Sequence, residues 1–449
     1  MNPENTTPSA PTTHRKPPSS RAVRAAALAV FAIFGTNGFV FASWAARIPS
    51  VTDILGLSTG QMGALLLMIA VGSLIAMPLT GTVADRIGLN RTVRLGGILA
   101  AAAGTAVAVG LLMASVPVVA VALAVFGAGI ALWDVAQNIA GADVEHRLGR
   151  TIMPRFHAAF SGGAFAGAML GAGLSAADVS LPMHLFAIVV VVLAVILVVP
   201  RYFLAHDAGH PAPAGEAAGG AAAGTAAAEQ PGKARGGALA AWRHPRTLLI
   251  GVVVLGATLT EGAGNDWISK GVVDGLGASE AAGASLFAVF VGAMTVARWF
   301  GGGVIDRIGR VAALRISMVS ALMGLTAYSL AGTYWLSAVG AVLWGLGAAL
   351  AFPMGMSAAA DDPRHAANRV AVVSTIGYIA FLAGPPFLGY LGDHVGLRPA
   401  LLAILVPIAL ALVLAGVTRK EPAPVAGVAA GGAGEGAAAE SVGRPEAGA

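Results

Sequence analysis

The sequence contains no cysteine and few charged residues. Without cysteine there is no disulfide, no thiolate nucleophile and no cysteine-ligated metal. Only 11% of the 449 residues are Asp, Glu, Lys or Arg, whereas 57% are hydrophobic. Water-soluble domains usually carry about 25% charged residues. The composition therefore favours a protein whose surface faces lipid.

The net charge of +5 does not indicate a nucleic-acid partner. Nucleic-acid surfaces need basic residues in a stripe interleaved with aromatics, and here the basic residues lie between apolar runs. The sequence also lacks the patterns of a metal cluster, a nucleophile triad or a phosphate-binding loop. We therefore expect no enzyme activity, no cofactor and no nucleic-acid partner.

Long apolar segments recur along the chain. A helix needs about 20 apolar residues to cross the hydrocarbon layer, because each residue adds about 1.5 Å. Twelve segments qualify, so the sequence predicts an all-α polytopic membrane protein. They cover residues 24–45, 60–80, 93–114, 117–139, 155–177, 183–203, 247–268, 281–302, 312–332, 335–357, 369–390 and 400–417.

Basic residues are divided unevenly between the two sides of these spans. If the N-terminus is cytoplasmic, only three of the 27 lie outside, namely Arg47, Lys270 and Arg398. The other 24, with Arg298 among them, fall on the cytoplasmic side. Because basic loops stay in the cytoplasm, we predict a multi-pass protein of the plasma (inner) membrane with both termini cytoplasmic.

Three segments of low complexity divide the chain. Residues 1–22 are rich in Pro, Ser and Thr, and residues 205–246 and 419–449 are rich in Ala, Gly and Pro. Such compositions bury too little apolar surface to fold. We therefore predict a disordered cytoplasmic tail at each end and a cytoplasmic linker. Two six-helix bundles remain, at residues 23–204 and 247–418.

The two predicted bundles share a polar motif after their second span. Its first copy has Gly81, Asp85, Arg86, Gly88 and Arg91, and its second copy has Gly302, Asp306, Arg307, Gly309 and Arg310. Glycine permits a tight turn, and the charges are suited to binding a neighbouring helix end. We interpret both copies as a cytoplasmic gate. The alternative is that these charges only solvate the loops.

The duplicated Gly-x-x-x-Asp-Arg-x-Gly resembles the cytoplasmic signature of the major facilitator superfamily. The resemblance covers all twelve spans and implies two six-helix pseudo-repeats with a substrate site between them. A second repeated pattern is a tryptophan followed three residues later by a basic residue: Trp44 and Arg47 in the first bundle, Trp267 and Lys270 in the second. We interpret these four as a substrate-stacking outer rim. Location of the indoles in the membrane interface is the alternative.

Few polar side chains fall inside the predicted spans. On insertion scales, placing a charged side chain there costs about 2.5 to 3.5 kcal/mol, so such residues usually have a role in binding or moving a substrate or proton. The candidates for the substrate or proton pathway are Asn37, Asp134, Gln137, Asn138, Glu261, Asn265 and Asp266. Asp134, Gln137 and Asn138 share one helix face through their i, i+3 and i+4 spacing. For Asp266, an ion pair with Lys270 or Arg47 is the alternative.

Asp-x-x-x-Asn in the fourth span resembles Glu-x-x-x-Asn of the fucose-permease-like branch of proton-coupled sugar symporters. This resemblance implies that Asp134 binds a proton or sugar and that Asn138 binds a hydroxyl group. That branch also has an aspartate in its first span, and the first span here has no acid. Glu261 is the candidate for the missing charge.

These observations predict a secondary active transporter of a small solute. The first hypothesis is a monomeric symporter, coupled to a proton or another ion, for a sugar-like polar substrate. An exporter of a hydrophobic drug or metabolite and a non-transporting membrane sensor remain as alternatives. The polar face of the fourth span favours a hydroxylated substrate, whereas the apolar composition of the other spans suits a hydrophobic one.

Overall fold

The computed structural model describes residues 19–149, 152–204, 240–362 and 365–420. The two predicted tails and the predicted linker lie largely outside these ranges, so they stay predictions.

Twelve helices in the described ranges are long and apolar enough to span a membrane, which confirms the predicted fold class. A short helix, Ile48–Leu55, connects the first two and was not predicted. The twelve are α1 Ser20–Ala45, α2 Thr59–Ile87, α3 Leu89–Leu112, α4 Val116–Leu148, α5 Met153–Ala176, α6 Leu181–Tyr202, α7 Pro245–Leu276, α8 Glu280–Ile308, α9 Arg310–Leu330, α10 Tyr334–Ala359, α11 Ala366–Val395 and α12 Leu397–Thr418.

The helices pack as two six-helix pseudo-repeats. In the first, α1 packs on α5, and both α2 and α3 pack on α4. In the second, α7 packs on α11, and both α8 and α9 pack on α10. The two halves meet where α5 packs on α8 and α2 packs on α11. We call the end of the bundle with Ser20 and Thr418 the terminal face, and the opposite end, with Arg47 and Glu280, the far face.

Several helices are longer than hydropathy predicts. The first part of each motif copy, at residues 81–87 and 302–308, lies in the last turns of α2 and α8, whereas the sequence pattern placed both copies in loops. Hydropathy underestimates these helices because polar residues continue a helix without penalty once it leaves the hydrocarbon. Gly88 and Gly309 then reverse the chain within one residue, at φ 83°, ψ 154° and φ 83°, ψ 156°. Glycine adopts this backbone conformation readily, and other residues rarely do.

Small residues allow close helix contacts within and between the halves. A methyl group on Gly163 of α5 would overlap the carbonyl oxygen of Gly35 in α1. At the interface, a methyl group on Gly63 of α2 would overlap the carbonyl oxygen of Pro385 in α11. Close backbone packing of this kind is a main source of helix association in lipid.

Candidate functional site

Asp134, Gln137 and Asn138 lie side by side on α4, all buried. The Gln137 Nε2 group donates to Asp134 Oδ1 at 2.8 Å, and the Asn138 Nδ2 group donates to the Asp134 carbonyl oxygen at 2.8 Å. Carboxylate and carbonyl oxygens only accept, so both amides point their nitrogens at Asp134. Asp134 Oδ2, Gln137 Oε1 and Asn138 Oδ1 have no hydrogen-bond partner among the described residues.

Tyr378 of α11, in the other half, carries a further buried polar group. Its hydroxyl group is buried, lacks a described hydrogen-bond partner, and lies within electrostatic range of Asp134. Buried polar groups without partners are rare in native proteins. Sequence reasoning missed Tyr378, because a single tyrosine in an apolar helix leaves no periodic signal. The one feature of the sequence that could have identified Tyr378 as a candidate is a polar hydroxyl group in the middle of a predicted span.

Glu261 of α7 forms an ion pair with Arg298 of α8. Arg298 Nη2 lies 2.8 and 2.9 Å from the two carboxylate oxygens. Its Nε group donates to the Ala349 carbonyl oxygen at 3.2 Å, and its Nη1 group reaches Ser161 Oγ in the other half at 3.4 Å. Arg298 is therefore a partly buried group that binds inside the bundle, and its predicted position on the cytoplasmic side stays a prediction. Hydropathy ended the span near Arg298, whereas α8 continues to Ile308.

Asp134 and Arg298 lie at the same level of the bundle. Each is about five helical turns from the first residue of its helix, at about 3.6 residues per turn. Both helices begin at the far face, so this level is about 27 Å inside the bundle at about 1.5 Å per residue. Tyr378 likewise lies about five turns before the far-face end of α11. The structure therefore brings groups from both halves to one level.

Three other predicted pathway residues lie closer to the far face. Asn37 of α1 is 1% exposed, and its Nδ2 group has no described partner. Asn265 of α7 is also buried. Asp266, its neighbour, makes no hydrogen bond or ion pair with another described residue. The structure thus shows no hydrogen bond between these three residues and the polar side chains of α4.

The predicted outer-rim cations pair with acids other than Asp266. Arg47 Nε lies 3.1 Å from Glu280 Oε1, across the interface between the halves. Lys270 Nζ lies 2.8 Å from Asp274 Oδ2, one turn further along α7. The proposed pairing of Asp266 with either cation is therefore wrong. Spacing did not decide it, because Lys270 has an acid one turn away on each side.

Glu280 collects donors from several elements of the first half. Its Oε1 atom accepts from Arg47, from the Ser50 backbone nitrogen at 3.0 Å, and from the Ser50 hydroxyl group. Its Oε2 atom accepts from the Ser175 hydroxyl group at 3.1 Å. We call Arg47, Ser50, Ser175 and Glu280 the far-face latch. These bonds tie the two halves together at that face.

Both predicted outer-rim tryptophans are buried in the protein. Trp44 is 5% exposed and Trp267 is 0% exposed. Their indole nitrogens have no hydrogen-bond partner among the described residues. Location of these side chains in a lipid-facing interface belt is therefore wrong. Stacking on a substrate remains a prediction.

The charges of the proposed gate have few partners. Five of them are exposed and make no hydrogen bond or ion pair within the described ranges, namely Asp85, Arg86, Arg91, Asp306 and Arg307. Arg310 differs, since its Nη2 group lies 2.9 and 3.1 Å from the oxygens of Asp361, at the end of α10. Asp361 also binds Arg246 at 3.3 Å. The gate stays a prediction.

Two pseudo-repeats with buried polar groups at a common level are the architecture of a membrane transporter of small molecules. Comparisons with known proteins identify the same class. The family model of the Major Facilitator Superfamily matches residues 26–385 and 267–444. An uncharacterized transporter of Sinorhizobium fredii, y4wD, is 31% identical over 84% of this chain and 97% of its own length. The chain belongs to the major facilitator superfamily, which confirms the resemblance drawn from the duplicated motif.

Solved transporters share the fold. The nucleoside transporter NupG matches with a TM-score of 0.65 at 13% identity, over 88% of this chain and 98% of its own. The fucose:proton symporter FucP of E. coli matches with a TM-score of 0.55 at 15% identity, over 87% of this chain and 98% of its own. At such identities the similarity establishes the architecture alone.

Proposed function

We propose that this chain moves a small hydroxylated solute across the plasma (inner) membrane by alternating access, coupled to a proton on Asp134. The carrying observation is the row of acceptors on α4 that lack a partner among the described residues, within electrostatic range of the Tyr378 hydroxyl group. An unsatisfied buried polar group costs about 1 to 3 kcal/mol. A solute rich in hydrogen-bond donors would supply the missing bonds.

Asp134 is the natural place for the proton. Its partner in the structure is the neutral Gln137 amide, and Oδ2 has none among the described residues. A buried carboxylate without a cation is costly, so it favours either a bound proton or a bound donor. A side chain that alternates between these two states links the solute to the proton gradient.

We propose that the terminal face is cytoplasmic, as the distribution of basic residues predicts. The far-face latch then closes the periplasmic side. A second bond there supports this, since the Ser58 hydroxyl group, at the start of α2, donates to Asp393 of α11 at 2.8 Å. A bundle tied on its periplasmic side opens toward the cytoplasm, and we assign this arrangement to the inward-facing state of the transport cycle.

The test is the substitution Asp134→Asn, which keeps the side-chain shape and removes the titration. A thermal-shift screen of the purified protein against sugars, polyols and nucleosides first selects the solute. In proteoliposomes, the variant should still exchange the solute and should lose transport driven by a pH gradient. Asp53→Asn, at an exposed carboxylate, serves as the control. Wild-type pH dependence in Asp134→Asn would falsify the role of Asp134.

A further inference from the structure

We infer that the solute is a hydroxylated amine, whose ammonium group binds Asp134 and whose hydroxyl groups bind the neighbouring amides of α4. This inference rests on the proposed function and adds the charge of the solute. It follows from the unpartnered atoms on α4 and from the balance of charges at their level.

The unpartnered atoms of Asp134, Gln137 and Asn138 are all acceptors. Asp134 Oδ2, Gln137 Oε1 and Asn138 Oδ1 lack partners among the described residues, and each amide nitrogen gives one of its two hydrogens to Asp134. The three side chains follow one another over about one helical turn, or about 6 Å. One donor group does not reach across that length. The solute therefore needs several donors, spread along the helix.

Among the described residues around this level, one acid forms no ion pair with an arginine or a lysine. Asp134, Glu261 and Arg298 lie about four to five turns from the far-face ends of α4, α7 and α8, at about 3.6 residues per turn. Arg298 binds both oxygens of Glu261, so that pair is neutral. The titratable ring of His157 in α5 packs against Phe34 of α1, with centroids 5.2 Å apart. The remaining negative charge is on Asp134.

Two other arginines near this level do not balance Asp134. Arg315 of α9 is exposed. Arg94 of α3 stands two positions before Gly96, whose backbone packs against that of Trp133 in α4. Two positions turn a helix by about 200°, so Arg94 points away from α4. Neither arginine forms an ion pair within the described ranges.

A cation gains more at this place than a hydroxyl group does. Hydrogen bonds between ionised groups are about twice as strong as neutral ones, and attraction between opposite charges is stronger inside a protein than in water. The ammonium group of an amine supplies both a donor and the missing positive charge. A hydroxyl group at the same place leaves the carboxylate unneutralised.

An anionic solute fits these observations less well. It would bind Arg298, whose Nη1 group donates to Ser161 at 3.4 Å and to no other described residue, and so has capacity to donate. A further anion at Arg298 would stand beside Glu261, whose two oxygens Arg298 already binds. The neutral Glu261 and Arg298 pair offers it no net attraction.

The ammonium group and the proton compete for the same oxygen atom. When the amine binds, the O–H bond at Asp134 Oδ2 breaks, the proton leaves to water, and the ammonium group takes its place. When the amine leaves, a proton returns. The charge of the site is the same in both loaded states, so the solute and the proton cross the membrane in opposite directions.

Matched probes of equal size but different charge test the inference. Glucosamine and glucuronate each differ from glucose at one carbon, C2 and C6 respectively, and serinol and glycerol repeat the amine comparison at smaller size. Binding to the purified full-length protein at pH 7 is measured by isothermal calorimetry. We expect the amine of at least one pair to bind about tenfold more tightly than its neutral partner. Asp134→Asn should remove that preference, and Asp53→Asn should keep it.

The other outcomes separate this inference from the proposed function. Equal binding of amine and neutral probes overturns the amine and leaves a hydroxylated solute in place. Preference for glucuronate also overturns the amine and moves the binding group to Arg298. If none of the five probes binds, both proposals fail. An amine preference that survives in an Asp134→Asn protein of unchanged melting temperature removes Asp134 from the site.

Discussion

Arg47, just after the end of α1, binds Glu280, the first residue of α8, with 3.1 Å between Nε and Oε1. The bond joins the two halves at the far face and is reinforced by hydroxyl groups from Ser50 and Ser175. Glu280→Gln removes the charge and keeps the size. Since charge-assisted hydrogen bonds contribute about 1.5 to 3 kcal/mol, we expect this variant to populate a state open at the far face about tenfold more.

The native chain has no cysteine, so two spin labels report this opening without background. Cysteines replacing Met113 and Trp335, both exposed on the far face in different halves, carry the labels. Double electron–electron resonance should show a longer distance in Glu280→Gln and an unchanged one in the control Asp53→Asn. An unchanged distance in Glu280→Gln would mean that the far-face latch does not hold the halves together.

Tyr378→Phe should weaken solute binding and leave stability unchanged. The hydroxyl group has no hydrogen-bond partner among the described residues, so its removal breaks no bond in the unloaded protein. A lost bond to the solute would lower affinity about tenfold. Tyr390→Phe, at an exposed tyrosine of the same helix, is the matched control. Unaltered affinity in Tyr378→Phe would place the solute elsewhere.

Glu261 and Arg298 should depend strongly on each other for stability. Arg298→Gln leaves the buried Glu261 carboxylate unpaired, which lowers the stability by about 3 to 5 kcal/mol. Glu261→Gln similarly leaves the Arg298 guanidinium group unpaired. We expect the double variant, which buries no unpaired charge, to unfold at a higher temperature than either single variant. Thermal unfolding in detergent measures all four proteins. Additive losses in the double variant would contradict the pairing.

Neighbouring glycines on α5 should respond oppositely to alanine. A methyl group on Gly163 meets the Gly35 carbonyl oxygen, whereas one on Gly162 has no atom within 4 Å. We expect Gly163→Ala to cost about 1 to 3 kcal/mol through overpacking. Gly162→Ala should be neutral or stabilising by up to about 1 kcal/mol through helix propensity. Equal melting temperatures for the two variants would show that α1 and α5 do not approach as closely as described.

Periodic and local features of this fold were predictable from sequence. Apolar length identified the spans, and the duplicated motif indicated the two pseudo-repeats. The i, i+3 and i+4 spacing placed Asp134, Gln137 and Asn138 on one face, because helix geometry alone decides that relation. Helix ends were less accurate, because hydropathy detects the hydrocarbon layer and not the helix.

Partnerships between distant helices were not predictable. Arg298 binds Glu261 from 37 residues away, and Glu280 binds Arg47 from 233 residues away. No spacing rule covers such separations, since the packing of whole helices decides them. Tyr378 was missed for the same reason. Its electrostatic relation to Asp134 depends on how the two halves pack together.

The two copies of the motif have the same backbone conformation at their turn and differ in the ion pair formed beside it. Gly88 and Gly309 have matching dihedral angles, but the residue after Gly309 is Arg310, which binds Asp361, whereas the residue after Gly88 is the uncharged Leu89. The hinge between α8 and α9 is therefore braced by an ion pair, whereas Asp85, Arg86 and Arg91 at the hinge between α2 and α3 form none with the described residues. If the halves rock about these two hinges, the hinge in the second half is the stiffer one. The two halves then contribute unequally to the motion.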